Sequence, residues 1–183
     1  MSSIDLRNYR VDAVLRDAGS ICIRAIRPDD KERLREHFAG LSPQSVYFRF
    51  MEIRRALSAH ELQQLTELDF KDHVGLVATI TDNGVEHIVG VGRYIRGSNP
   101  HRAEIAFAIL DEHQGRGIGT LLLEHLNRIA YANGITEFEA NVLGDNARML
   151  EVFAHSGLKV RRSFESGVVH LYFATGESDQ HSG

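Results

Sequence analysis

The 183-residue chain holds one cysteine, Cys22, inside ICIRAI. A single cysteine excludes an internal disulfide, and this one reads as a small buried hydrophobe. No apolar run approaches the length of a membrane span. The opening MSSIDLRNYR lacks the apolar core of a secretory signal. The expectation is a cytoplasmic protein with no membrane partner. Positive charge is not in excess: 21 Lys and Arg stand against 25 Asp and Glu, a net charge of -4. General affinity for phosphate backbones is excluded, so no nucleic-acid partner is expected. Ten histidines are present, but there is no H-E-x-x-H and no ligand spacing, so no metal site is expected. No serine sits in a nucleophile turn, which argues against a hydrolase.

What is there reads as one domain with no repeat and no long linker. Residues 1–10 read as an N-terminal tail, 11–174 as the domain, and 175–183 as a disordered polar tail. VDAVL and ICIRAI flank a turn around Asp17 and Gly19. PDDKERLREHFAGL starts a helix that Asp29 can cap, with Gly40 as its stop. Ser58 and Glu61 form an S-x-x-E capping box, with Leu57 and Leu62 at the staple positions. Between these two helical segments VYFRFMEIRRAL reads as a join. VGLVATIT and HIVGVGRYI make a hairpin around Asn83-Gly84, and RAEIAFAIL is a further strand. A glycine stretch, a long helix to about Asn133, the strand EFEANVL, a short helix and a last hairpin at Ser166-Gly167 follow. The order ββααβββαβαββ predicts an α/β (α+β) fold: a mixed, mostly antiparallel central sheet flanked by helices, with an N-terminal β-hairpin extension.

The stretch Gln114-Gly115-Arg116-Gly117-Ile118-Gly119-Thr120 puts alternating glycines directly before a helix. The first N–H groups of a helix have no internal partner and carry the positive end of its dipole. Glycines remove the Cβ atoms that would hold a ligand away from them. A phosphate or pyrophosphate suits such a place. No Gly-Lys-Ser/Thr follows, which excludes a P-loop. The spacing is G-x-G-x-G after an antiparallel hairpin, which excludes the dinucleotide fingerprint.

That stretch resembles the Q/R-x-x-G-x-G/A motif of the GNAT superfamily of acyl-CoA-dependent N-acetyltransferases, and the element order is similar too. Asn146, followed by a short helix and Gly157-Leu158, resembles the family's second signature. The likeness covers roughly Ile21 to Phe173. LSPQSVYFRF and AEIAFAILDEHQGRGIG are similar to bacterial protein lysine acetyltransferases.

The resemblance implies acetyl-CoA as cosubstrate. Its pyrophosphate would lie on the N–H groups of Gln114, Gly115, Arg116, Gly117, Ile118, Gly119 and Thr120. Its pantetheine arm would run along the backbone of Phe107 and Ile109, with Asn146 opposite. Asn146 also reads as a helix cap, and the two roles are compatible. Glu104 matches the family's catalytic glutamate. A lysine amine has a pKa about 3.4 units above neutrality, so a base must remove its proton. The bland reading of Glu104 is a carboxylate paired with Arg93 or Arg102. Glu137 and Glu139 are the next candidates for a base. Phe153 stands where many relatives carry a proton-donating tyrosine, and it reads as packing. Arg49, Arg54 and Arg55 read as a solvated face that could meet acids on a partner or a CoA phosphate. The expected acceptor is a protein lysine, with an acyl-CoA synthetase as the single best partner. A small amine, a protein N-terminus, or a non-catalytic acyl-CoA-binding module stay open.

Overall fold

The computed structural model describes residues 5–52 and 54–176. A short 3-10 turn at Leu6–Asn8 leads into β1 (Arg10–Val14) and β2 (Ser20–Ala25). Three helices follow: α1 (Lys31–Gly40), α2 (Pro43–Phe50) and α3 (Ala59–Thr66). Then come β3 (His73–Asp82), β4 (Val85–Arg96), β5 (Arg102–Ile109), α4 (Ile118–Ala132), β6 (Glu137–Leu143), α5 (Ala147–Ala154), β7 (Val160–Glu165) and β8 (Val168–Ala174). The strands form one eight-stranded sheet in the order β1-β2-β3-β4-β5-β6-β8-β7. Every pairing is antiparallel except β5 with β6. The mixed sheet and N-terminal hairpin therefore match the expected fold. Among the described residues no helix is long and apolar enough to cross a membrane.

Local chemistry sets most of these elements. Asn83 (φ 50°) and Gly84 (φ 78°) give the β3–β4 hairpin the two positive φ values of a type I′ turn. Ser58 and Glu61 exchange both bonds of their capping box, and Leu57 and Leu62 are buried as a staple. At α1 the N-cap position falls one residue later than expected, at Asp30, whose side chain makes no cap bond to that helix. The Asp30 carboxylate instead closes the 3-10 turn Pro28–Asp30 ahead of it, accepting from the Arg27 N–H at 2.7 Å. It is fixed there by the buried Arg24, whose guanidinium donates to both Asp30 oxygens at 2.8 Å. Glu86 adds a second carboxylate to Arg24 at 2.9 Å.

Three expectations are corrected. The segment VYFRF is not a join: it is the second half of α2, which Ser42 caps by accepting from the Ser45 N–H at 3.1 Å. Pro43 at the first helical position fits that start. The domain begins before residue 11, because Leu6 and Tyr9 pack on the core and the Tyr9 hydroxyl meets the His125 ring. Cys22 is half-buried rather than buried. At the other end, Thr175 and Gly176 bond back to Thr136 and Asn127; the rest of the expected tail, 177–183, lies outside the described residues.

The sheet is covered on one face by α4 and on the other by α1 and α3. Gly90 and Gly92 of β4 let α4 sit close. A Cβ on Gly92 would come within 2.9 Å of Phe107 and 3.0 Å of Leu126. One on Gly90 would come within 2.9 Å of Ile109 and 3.0 Å of Ile118. These contacts seat the odd residues of β5 in the core and fix the strand that borders the site.

Candidate active site

The parallel pairing of β5 with β6 is short. Its register pairs are Arg102 with Glu137, Ala103 with Phe138, and Glu104 with Glu139. Beyond Glu104 the strands part, and a cleft of about 1020 Å³ opens between them. Its walls come from Glu104–Ile109, the glycine loop, Ala140–Val142, Asn146 and the end of α2. β5 keeps its pairing to β4 over this whole length. Its other edge has no strand partner past Glu104, so backbone groups face the cleft ready for a ligand.

The glycine loop closes one end. Gly115 (φ 79°) and Gly117 (φ 90°) take left-handed conformations that side chains resist. Gly117 is the N-cap of α4 and provides no side-chain cap. The first intrahelical bond runs from the Leu121 N–H to the Gly117 carbonyl at 3.0 Å. The N–H groups of Ile118, Gly119 and Thr120 are thus left for a ligand. Gly119 has a second use: a Cβ there would lie 3.1 Å from Val152, so its absence lets α5 pack on α4.

Of the expected row of N–H groups, that of Gln114 is already taken, and the Arg116 side chain has a partner of its own. The Gln114 N–H donates to the Asp111 carbonyl at 3.3 Å, and its side-chain amide donates to the Ile109 carbonyl at 3.1 Å. Gln114 therefore shapes the loop. The Arg116 side chain turns away to Asp17, with Nε 2.6 Å from Oδ2. In its place the structure brings two arginines that the sequence did not single out. A Cβ on Gly117 would lie 3.5 Å from Arg16 Nε, and one on Gly115 would lie 3.6 Å from Arg148 Nη1. Guanidinium groups thus flank the loop on both sides, and both arginines line the cleft. Arg16 comes from the N-terminal hairpin, and no motif marks it. Arg148 is the second residue of α5, two after Asn146.

Asn146 caps α5, accepting from the Met149 N–H at 3.3 Å. It also lines the cleft, so position allows both roles read from the sequence. Phe107 and Ile109 have buried side chains, and they can offer only backbone to the cleft. Phe153 packs between Phe107 and Phe173 at 6.0 and 5.4 Å between ring centroids. It is a core residue with no proton to give.

Glu104 stands at the last rung before the strands part, exposed and on the cleft wall. The bland reading does not hold: neither arginine pairs with it. Arg102 pairs with Glu137 at 2.7 Å, and Arg93 donates to the Leu65 carbonyl and contacts His73. Glu137 is also engaged by Arg161 at 2.9 Å. Glu104 has no ion pair or side-chain hydrogen bond among the described residues.

The opposite wall is α2. Asp111 ties it to the loop: its carboxylate accepts from Ser42 Oγ at 2.9 Å and Ser45 Oγ at 2.9 Å, and from the Ser42 N–H at 3.1 Å. Partial burial pushes the Asp111 pKa up, but these bonds outweigh it and hold the carboxyl below its usual range. Phe48, Arg49, Phe50 and Met51 line this wall. The three arginines do not form one solvated face. Arg49 is half-buried in the cleft wall, while Arg54 pairs with Glu52 and Glu61. Only Arg55 is exposed.

A sheet that splits beside a glycine-rich helix start is matched by known proteins. The profile of the acetyltransferase (GNAT) family fits residues 42–158, which contain most of the cleft. The chain belongs to that family. It is 34% identical to the acetyltransferase Pat of Mycolicibacterium smegmatis over 136 residues, which is 74% of this chain and 40% of that protein. It is 32% identical to an acetyltransferase of Pseudomonas aeruginosa over 123 residues, 67% of this chain and 66% of that one. The chain thus spans between two fifths and two thirds of these relatives. The crystal structure of the GNAT domain of S. lividans PAT superposes with a TM-score of 0.82 at 40% identity, covering 90% of this chain and 96% of that one.

Proposed function

We propose that this chain transfers the acetyl group of acetyl-CoA to the side-chain amine of a protein lysine, with Glu104 as general base. The observation that carries the reading is the position of Glu104: unpaired, on the cleft wall, at the rung where β5 and β6 part. The residues fit the cosubstrate. The bare N–H groups of α4, with Arg16 and Arg148 beside them, suit a pyrophosphate. The free edge of β5 suits the amide-bearing pantetheine arm, which bonds like a strand.

Glu104 takes a proton from the incoming ammonium as its nitrogen attacks the thioester carbonyl. Neutralising a lysine at pH 7 costs about 4.6 kcal/mol without such a base. A backbone N–H of β5 faces the carbonyl oxygen as negative charge grows on it. The C–S bond then breaks, CoA leaves as a thiolate, and the second proton on the attacking nitrogen passes to water to give the neutral amide. Phe153 gives no proton, so the thiolate is protonated by water; an ordinary thiol pKa near 8.5 makes that sufficient.

A lysine on a folded protein fits the open, arginine-bearing α2 wall better than a small polyamine, which would need a closed acidic pocket. The likeness to proteins named Pat supports this. An acyl-CoA synthetase is the partner to test first, because acetylation of an active-site lysine would switch it off. Incubation with acetyl-CoA and the synthetase of the same organism, read by mass spectrometry, should give one acetylated lysine on the synthetase. The Glu104→Gln protein should give far less. If only polyamines or other small amines accept the acetyl group, the protein-lysine reading is wrong.

A further inference from the structure

A second, small cavity of about 30 Å³ adjoins the cleft and shares Leu41, Arg49, Phe50 and Ala108 with it. Its size is about that of one water or one carboxylate group. Most of its lining is apolar, yet Arg49, Arg93 and His37 also face it. Arg93 is only 4% exposed. Among the described residues its sole hydrogen bonds come from Nη1, to the Leu65 carbonyl at 3.3 Å and His73 Nε2 at 3.1 Å. Among the described residues no carboxylate forms an ion pair with Arg93 or Arg49, and of the two only Arg49 feels an acid, Glu104. The other buried arginine, Arg24, shows the ordinary solution, with carboxylates at 2.8 and 2.9 Å. His37 is equally buried. Its Nδ1 donates to the Ile88 carbonyl at 3.1 Å, and its Nε2 has no partner.

We infer that this cavity receives a carboxylate carried by the acceptor. The inference rests on the acetyl-transfer reading and adds a specificity element to it. Arg93, a buried guanidinium with no acid beside it in a mostly apolar chamber, lacks a counter-charge, while Arg49 feels only that of Glu104; a planar carboxylate matches the donor edges of both. Burial and the nearby Arg49 already lower the Arg93 pKa to about 9, which an incoming anion would reverse. Arg93 Coulombically opposes a proton on His37 as well. When the carboxylate arrives, His37 Nε2 takes up a proton from solvent and becomes a third donor to it. Geometry links the chamber to the base. Arg93 pairs in register with Ala106, two residues along β5 from Glu104, or about 7 Å on the same face of the sheet. One acceptor can therefore present its amine to Glu104 and its acid to the arginines. The acid is either a side chain beside the target lysine or the acceptor's own carboxyl group.

Two matched pairs of acceptors separate these sources: single-lysine peptides flanked by Glu or by Gln, and 5-aminovalerate against pentylamine. In the unmodified protein the acidic member of at least one pair should have a KM lower by about tenfold or more. The peptide pair responding alone assigns the acid to a neighbouring side chain; the small pair alone assigns it to the acceptor itself. The ratio should fall towards one in Arg93→Gln. Arg49→Gln, at a half-buried helix position, serves as the second variant should Arg93→Gln fail to fold. A flat ratio in both pairs, or a ratio that survives the substitutions, overturns the inference. A binding readout needs no turnover. Titrating propionate into the ¹⁵N-labelled protein should move the His37 Nε2 resonance from its lone-pair position to a protonated one. Glu104→Gln should keep that response while losing turnover, and Arg93→Gln or Arg49→Gln should lose it. A response absent from the unmodified protein, or intact in the arginine variants, also overturns the inference.

Discussion

Arg116 of the glycine loop and Asp17 of the N-terminal hairpin, 99 residues apart, face each other, with Nε 2.6 Å from Oδ2 and Nη2 3.3 Å from Oδ1. The pair fastens the turn of the N-terminal hairpin to the glycine loop. Gly19 makes the approach possible, since a Cβ there would lie 2.6 Å from Arg116 Nη2. The residue before Asp17 in that turn is Arg16, which the fastening holds beside Gly117. Asp17→Asn should leave the melting temperature almost unchanged, because the pair is solvent-exposed. It should weaken acetyl-CoA binding several-fold by freeing Arg16, and Arg16→Ala should do the same directly. Calorimetry at two salt concentrations checks this: the loss should be greatest at low salt. Equal affinity in all three proteins would show that the hairpin plays no part in binding.

Gly117→Val places a β-branched side chain at φ 90° and 3.5 Å from Arg16. The left-handed backbone alone costs about 1–2 kcal/mol. Acetyl-CoA affinity should fall below detection by calorimetry while the far-ultraviolet spectrum stays folded. Unchanged affinity would remove the pyrophosphate from this loop.

Glu104→Gln keeps the shape of the cleft wall but cannot accept a proton. Acetyl-CoA affinity should survive, and kcat should drop by about 10² to 10⁴. The deficit should shrink as pH rises and the free amine becomes more abundant. Near-normal turnover at pH 7 would place the base elsewhere, with Glu139, the register neighbour of Glu104, next to test.

Acid should unsettle the fold before its carboxylates protonate. Burial, followed by Arg93, pushes the His73 pKa down to about 4. Burial above all does the same to His37, again with Arg93 opposing a proton and the Ile88 bond partly compensating. An unfolded histidine takes a proton near pH 6.5, which these two refuse until about pH 4. Their contribution is therefore complete above pH 6.5 and is lost as pH falls towards 4, at up to about 1.4 kcal/mol per pH unit for the fully buried His37. Melting curves across that window should show the decline, and His37→Gln should flatten it. The same slope in the variant would mean that His37 protonates freely in the folded chain.

The features legible in the sequence are those written in local chemistry. The Ser58–Glu61 box, the Asn83-Gly84 turn and the glycines before α4 each state a backbone geometry within a few residues, and the structure has all three. The start of α2 is also written locally, as Ser42-Pro43, but the aromatic run Tyr47, Phe48 and Phe50 after it carries no clear helical period. Arg16 carries no signal of its own; the Arg116–Asp17 contact brings it to the loop. The move of the α1 cap to Asp30 likewise depends on Arg24, a residue on another strand. The inversion of β7 and β8 at the sheet edge follows from which strand pairs with β6, a choice that alternation of side chains does not encode.

Sheets usually keep unpaired backbone at their outer borders, where it is a hazard for unwanted pairing. Here the parting of β5 and β6 puts two such borders in the middle of the sheet. Bulk guards them where charge or proline would guard an outer strand. The end of α2, the glycine loop and α5 leave a channel rather than an open flank. A thin, unbranched chain with amide groups can slip in and complete the ladder, whereas a neighbouring protein's strand, with side chains on both faces, is kept out. The free backbone of the sheet is thus offered to a narrow, amide-bearing chain rather than to open solvent.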